Sequence, residues 1–468
     1  MAWGRFVAAR LCANRRWKSG AVAKVALMNC DVAIVGGGPA GIAAAVTSAV
    51  SGRKVVLLDD NPRPGGQIWR GDAKAGRPVE AARWFEQLAN SGAQVLNGAR
   101  VFHAQAGSLE AETDRSLLSV RFDQLILASG AREMFLPFPG WTLPNVVGAG
   151  GLQALVKSGL PIEGKRVVVA GTGPLLLAVA AYLTEHGAHV ICVCEQASTS
   201  SLARFGLTML GFPGKICEGL RLRFKSRRAP YLTQSWVVTA MGKDRLEAVR
   251  ISAAGRIRDI SCDYLASGYH LVPNTELAQM LYCRIHEGFV QVDKSQQTSQ
   301  PGIYCAGEPT GIGGVELSIL EGQIAGHSAV GATKAAKDLF PARARYRKLT
   351  AAMTAAFALR PELASVATDD TFLCRCEDVS VGAVRNHASW KAAKLHTRCG
   401  MGPCQGRVCG AVSAFLFGWG IESQRPPVFP ARCASLAAMT CFDQTQQAPT
   451  QQAPTQHTHA QHTNGGTP

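Results

Sequence analysis

Two sets of residues in this chain are spaced for chemistry: glycines set between strands and helices, and cysteines crowded near the carboxyl end. Residues 31–41, DVAIVGGGPAG, are an apolar run that stops at glycines and restarts as an Ala-rich helix. A chain needs that pattern to press its backbone against a pyrophosphate. Gly36 allows the tight turn, Gly38 lets a diphosphate come close, and Gly41 lets the helix sit on the strand. The unpaired N–H groups of the helix start then face the anion. Asp59, closing the next expected strand (54–58), is placed to accept hydrogen bonds from a ribose. Strand, helix and acid together mark a dinucleotide site.

Of the 15 cysteines, Cys374, Cys376, Cys399, Cys404 and Cys409 fall in FLCRCEDVS and RCGMGPCQGRVCG. Such thiolate clusters suit zinc or iron–sulfur, which want about four soft ligands. The C-x-C and C-x4-C spacings do not match the usual zinc ribbon. In a long chain without a convincing signal peptide, they argue for a metal site in a reducing compartment, the other cysteines being buried thiols. Cys192 and Cys194 share a strand, one residue apart, so their side chains point the same way but stand farther apart than a disulfide prefers. No catalytic base is assigned: His103, His186, His189, His270, His286 and His327 have no acid partner at a telling spacing.

The elements that position these residues follow in order. With 468 residues and 47% apolar side chains, two or three domains are expected. No run reaches the length of a membrane span, so the chain reads as soluble. The net charge of +16 is uneven: the first thirty residues carry six basic and no acidic side chains, and residues 204–258 are again basic. No nucleic-acid-binding motif accompanies that charge, which excludes nucleic acid as the expected partner. Residues 1–27 read as a mitochondrial-type leader or a start placed too early. After Asp59 the loop 61–70, NPRPGGQIWR, brings Gly65 and Gly66 toward a ligand, and LILASGAR (125–132) is a buried strand ending at Ser129 and Gly130.

A second strand–glycine–helix unit begins with KRVVVAGTGPLLLAVAAYL. Gly171 and Gly173 are present, but Leu176 stands where the third glycine belongs and should push helix from strand. Glu195, ending the next strand, would favour NAD over NADP by repelling a 2′-phosphate, so a second nucleotide, NAD or ATP, stays open there. The chain then returns to the first unit with GIYCAGEPTGIGGVELSILEGQIAG (302–326). Glu308 could accept hydrogen bonds from a polyhydroxyl chain, and the helix from about Val315 could aim its positive end at an electron-rich ring.

These motifs, with PGGQIWR, FLPFPGWTLPNVVGAGGLQAL and the cysteine segment, resemble the flavoprotein subunit of heteromeric amino-acid and imino-acid dehydrogenases. That family includes opine oxidase, hydrogen cyanide synthase and dye-linked proline or hydroxyproline dehydrogenase subunits. The resemblance runs from about Asp31 to Met439 and implies an α/β fold. Two Rossmann-like dinucleotide-binding domains, the second inserted in the FAD domain, would precede a small, mainly helical, Cys-rich iron–sulfur domain. The expected boundaries are 28–140 and 275–335 for the FAD domain, 141–274 for the second, 336–370 for a helical linker, 371–440 for the cysteine module and 441–468 for a disordered tail. Gly36, Gly38, Gly41, Asp59 and Glu308 would bind FAD, with Gly66 and Ser129 nearby. The cysteine segment resembles a bacterioferritin-associated-ferredoxin type of [2Fe-2S] module, whose ligands would be Cys374, Cys376, Cys404 and Cys409. Cys399 is left as a spare thiol or substitute ligand. The stretch from Cys376 to Cys404 looks several residues short for that module.

The implied role is electron transfer: a smaller amino-acid-oxidase-like flavoprotein subunit oxidises a C–N bond, and this chain passes the electrons through FAD and [2Fe-2S] to a quinone or other carrier. The expected location is cytoplasmic, with peripheral membrane association open, or mitochondrial if the leader is a transit peptide. Two other readings are a self-sufficient NADH-dependent reductase and a vestigial, non-enzymatic subunit.

Overall fold

The computed structural model describes residues 24–70, 79–114, 116–420 and 424–446. Most of the expected leader and tail, with His457, His459 and His462, lies outside the described residues.

The first domain is built on the strand Lys24–Val35, which pairs in parallel with Val55–Asp59 on one side and Ser116–Leu127 on the other. It starts four residues before the expected boundary at residue 28, since Lys24 already pairs with Ser116 and Leu27 with Ser119. The outer edge of Ser116–Leu127 is shared. Its first half pairs antiparallel with Ser108–Glu112, and its end pairs parallel with Ile303–Cys305, the strand that returns after the second domain. Side chains alternate along a strand. Val32 and Ile34 therefore pack under the helices, while Ala33 and Val35 enter a separate core on the opposite face. Burial on both faces explains why this run is apolar throughout.

Helix Pro39–Ala49 and helix Gly314–Ala329 cover that sheet in close contact. A Cβ on Gly322 would stand 2.1 Å from the Ala40 carbonyl oxygen, and one on Gly326 2.8 Å from that of Ala44. Two glycines one turn apart thus let the helix backbones touch.

The second domain has the parallel order Tyr231–Leu232, His189–Glu195, Arg166–Gly171, Tyr264–Gly268, Val146–Gly148. An antiparallel sheet of Ser235–Met241, Ala248–Ala253 and Arg256–Ser261 closes one face. The short antiparallel pair Ala131–Glu133 and Leu271–Pro273 marks where the chain crosses between domains, so the second is inserted in the first. Helix Phe340–Ala356 then leads to the cysteine module. There a hairpin, Phe372–Cys374 with Val379–Ser380, and helices Val381–Arg385, Trp390–Thr397 and Cys409–Phe417 enclose a core containing Trp390. Ser380 and Ser389 cap two of these helices by accepting from the N–H groups of Ala383 and Ala392.

Beyond the module the chain goes back to the first domain. The Val428 N–H donates to the Phe102 carbonyl at 2.9 Å, Arg432 donates to the carbonyls of Thr113 and Asp114, and Ala438 packs with Phe102 and Leu117. Among the described residues no helix is long and apolar enough to cross a membrane.

The helix contact makes a test of this packing. Gly322→Ala must separate the two backbones, at a cost of about 1–3 kcal/mol. Gly206→Ala, inside helix Thr199–Met209 with nothing within 4 Å of its Cβ position, should instead gain up to about 1 kcal/mol. Thermal melts should show Tm falling in the first variant and holding or rising in the second.

Candidate functional site

The first glycine loop is closed by its own backbone. Gly36 has φ +105°, and a Cβ there would fall 2.2 Å from the Ala128 carbonyl oxygen; one on Gly41 would fall 1.8 Å from that of Gly36. A Cβ on Gly38, by contrast, would meet only the Cα of Gly66, at 3.9 Å. The loop is therefore tight beneath and open toward the side where a diphosphate would lie. Asp59 is buried, its Oδ2 accepting from the Gly37 N–H at 2.7 Å and its Oδ1 from the N–H and Nδ2 of Asn61 at 2.7 and 2.6 Å. Burial pushes its carboxyl up, against the pull of those donors. Three donors fill three of about four acceptor positions, leaving one for a ribose hydroxyl. Ser129, at the end of the neighbouring strand, donates to the Asn274 carbonyl at 2.6 Å.

Glu308 lies on the loop after the returning strand. Its Oε1 accepts from the Gly314 N–H at 3.1 Å, whereas its Oε2 is buried without a hydrogen-bond partner. Burial pushes this carboxyl up to about 7, the nearby Glu321 adding to the shift and Gly314 opposing it. An orphaned buried acceptor costs about 1–3 kcal/mol. Hydroxyl groups of a ligand would remove that cost, so cradle and orphan together fit FAD.

Sequence reasoning missed the group that holds this loop. Glu321 Oε2 accepts from the Gly307 N–H at 3.1 Å and from Thr310 Oγ1 at 2.7 Å, while its Oε1 accepts from Arg347 Nε and Nη2 at 3.1 and 2.7 Å. The signal was available: Leu317, Glu321 and Ala325 follow at helical spacing of four, which places a carboxylate on the core face.

The second glycine loop is arranged differently. Gly171, at φ +145°, leaves no room for a Cβ, which would stand 1.8 Å from the Gly268 carbonyl oxygen. Gly173, at φ +95°, has nothing within 4 Å of its Cβ position. Leu176 is fully buried in the core with Val167 and Val169. Glu195 accepts four bonds within the protein. These come from Thr172 Oγ1 at 2.9 Å, the Ala197 N–H at 2.8 Å, the Gly173 N–H at 2.8 Å and the Tyr231 hydroxyl at 3.3 Å. Residues 357–360 lie on the same edge. Gln196 donates to Thr172 Oγ1 and the Ala358 carbonyl and accepts from the Arg360 N–H, and Phe357 packs edge-on against Phe205. Nearby, the sulfurs of Cys192 and Cys194, on the same side of the strand, stand 3.7 Å apart.

In the cysteine module the sulfurs of Cys374, Cys399 and Cys409 all lie within 4.8 Å of one another, and all three residues are buried. Hydrogen bonds from Cys399 and Cys409 hold the Cys374 thiol far below the ordinary range. Cys376 and Cys404 make a second contact, Cys376 being exposed and Cys404 partly so. The loop between them can close because Gly402 has no side chain: a Cβ there would stand 2.4 Å from the Cys376 Cβ. The four expected ligands are thus divided between a buried and an outer group, and Cys399 sits inside the buried one. A set of clustered soft thiols fits an iron–sulfur centre or zinc.

The profile of the pyridine nucleotide-disulphide oxidoreductase family matches residues 30–336. The chain is 33% identical to hydrogen cyanide synthase subunit HcnB of Pseudomonas protegens, over 82% of this chain and 90% of that one. It is 30% identical to an opine oxidase subunit from Rhizobium meliloti, over 87% of each. L-proline dehydrogenase from P. horikoshii, 18% identical, shares the fold over 88% of this chain and 80% of that one with a TM-score of 0.62. With the glycine cradle, Asp59 and the orphaned Glu308 oxygen lying inside the matched span, the chain belongs to the pyridine nucleotide-disulphide oxidoreductase family and is an FAD-dependent oxidoreductase.

Proposed function

We propose that this chain is the electron-transferring subunit of a heteromeric dehydrogenase acting on an amino or imino acid of the opine, proline, hydroxyproline or glycine type. One observation carries the reading: the cradle that fits FAD and a buried cysteine cluster occur in one chain. Bound FAD would supply two-electron chemistry and a [2Fe-2S] centre one-electron delivery. Gly36, Gly38, Gly41 and Gly66 would hold the diphosphate, Asp59 the ribose and Glu308 the polyhydroxyl chain, with Ser129 bracing the strand end. Cys374, Cys376, Cys404 and Cys409 would ligate the cluster. Substrate would be oxidised on a smaller flavoprotein subunit, in keeping with the subunit names of the relatives, and a quinone or other carrier would take the electrons. The compartment proposed is the cytoplasm, with attachment at most to a membrane surface.

The self-sufficient NADH-dependent alternative needs Gly171, Gly173 and Glu195 to receive a nucleotide. Against it stand the four protein donors on Glu195, which occupy every acceptor position of that carboxylate.

Anaerobic titration of the purified chain separates the two readings. NADH alone should leave the flavin absorption unchanged, and the smaller subunit with its amino or imino acid should bleach it; rapid bleaching by NADH alone would establish the alternative. For the cluster, Cys404→Ser should abolish the iron–sulfur absorption with FAD retained, and Cys399→Ser should spare both. The reverse result would make Cys399 a ligand.

Glu308 has its own signature. Its folded value of about 7 lies above the usual glutamate value of about 4.3, so its contribution to stability is full below that value and is lost as pH rises through about 7. Melting curves of the flavin-free chain from about pH 5 to 8 should show Tm falling with pH, less steeply in Glu308→Gln.

A further inference from the structure

The cysteine module meets the first domain through a junction of two arginines and one carboxylate. Glu276 is buried, with 8% of its side chain exposed, and both Arg132 (23%) and Arg407 (15%) turn toward it, at 2.9 and 3.6 Å. Arg407 sits between Cys404 and Cys409, and its Nη1 donates to the Cys404 carbonyl at 3.3 Å. Its Nη2 donates to the Val428 carbonyl, and its guanidinium lies 4.0 Å over the Phe429 ring. From the other side Arg132 donates through Nε to the Arg407 carbonyl at 3.1 Å and through Nη1 to Asn274 Oδ1 at 2.7 Å. Asn274 is doubly bonded to Ser129, donating from Nδ2 to its carbonyl at 2.9 Å and accepting at its own carbonyl from the Ser129 hydroxyl. An unbroken run of hydrogen bonds thus connects the strand end at the flavin cradle with the loop that carries two cysteines.

Resting on the function proposed above, we infer that Arg132 and Arg407 are positioning residues for electron transfer, and that Arg407 raises the cluster's affinity for the incoming electron. Two guanidinium groups share one carboxylate, so one positive charge is in surplus. It lies where little water screens it, and charges there act more strongly than at the surface. With both groups bound, one electron would pass from reduced flavin to the cluster and make it one unit more negative, and the second would follow once the external one-electron carrier had taken the first. Cluster potentials depend on net charge, hydrogen bonding and exposure. Arg407 supplies a fixed positive charge at that place, and Arg132 fixes Arg407.

The test is a redox titration of the purified chain, monitored by the electron paramagnetic resonance of the reduced cluster. Arg407→Gln should lower the midpoint potential and, with that loss of driving force, slow flavin-to-cluster transfer in a stopped-flow measurement. Arg407→Lys, which keeps the charge, should recover most of the potential, and Arg132→Gln should slow transfer with a smaller shift. Arg398→Gln is the control for net charge alone, because that side chain is 69% exposed and already paired with Glu377. The inference is overturned if Arg407→Gln holds its cluster with unchanged potential, or shifts no more than Arg398→Gln. Wild-type protein without iron and labile sulfide would overturn the cluster assignment, and the inference with it.

Discussion

A single buried carboxylate, Glu321, ties the loop at 307–310 to the helix that leads to the cysteine module. One oxygen holds the Gly307 and Thr310 loop on which Glu308 rides, and the other takes a two-pronged grip from Arg347 on the helix leading to the cysteine module. The helix bearing Glu321 is itself pressed onto the first glycine helix through Gly322 and Gly326. Glu321 has 2% of its side chain exposed and Arg347 41%, so loss of the arginine would leave a buried carboxylate short of its cationic partner. The position of the flavin loop and the path of the linker therefore have a common support.

The two dinucleotide folds differ less in their glycines than in what their acids do. Asp59 keeps an acceptor position open beside a loop clear above Gly38. Glu195 is enclosed by Thr172, Gly173, Ala197 and Tyr231, and residues 357–360 lie against the same edge. The first fold is arranged to receive a ligand. The second uses the same geometry to seat part of its own chain, and its Leu176 turns a helix contact into core.

Much of this was legible in the residues. Strand, glycines, helix and acid are local in sequence, so 31–59 and 165–195 could be read directly, as could the return strand and the loop after it that carries Glu308. Cys399 shows where local reading stops: the resemblance left it a spare thiol or substitute ligand, yet the fold of the module sets it among the buried sulfurs of Cys374 and Cys409. The approach of Cys192 to Cys194 was likewise hidden, because spacing gives the side of the strand but not the rotamers that bring the sulfurs to 3.7 Å. Arg132, Glu276 and Arg407 were invisible for the same reason. They are separated by up to 275 residues, and nothing in their surroundings in sequence says that they meet.

Helix Phe340–Ala356 works mechanically as a tie bar. Its middle is bonded to the first domain through Arg347, and the residues just past its end are bonded to the second through Arg360 and Ala358. A hinge rotation of one domain on the other would have to break the attachment at one end of the bar or the other. The two dinucleotide folds are thus held at a set spacing, with no swinging arm between them.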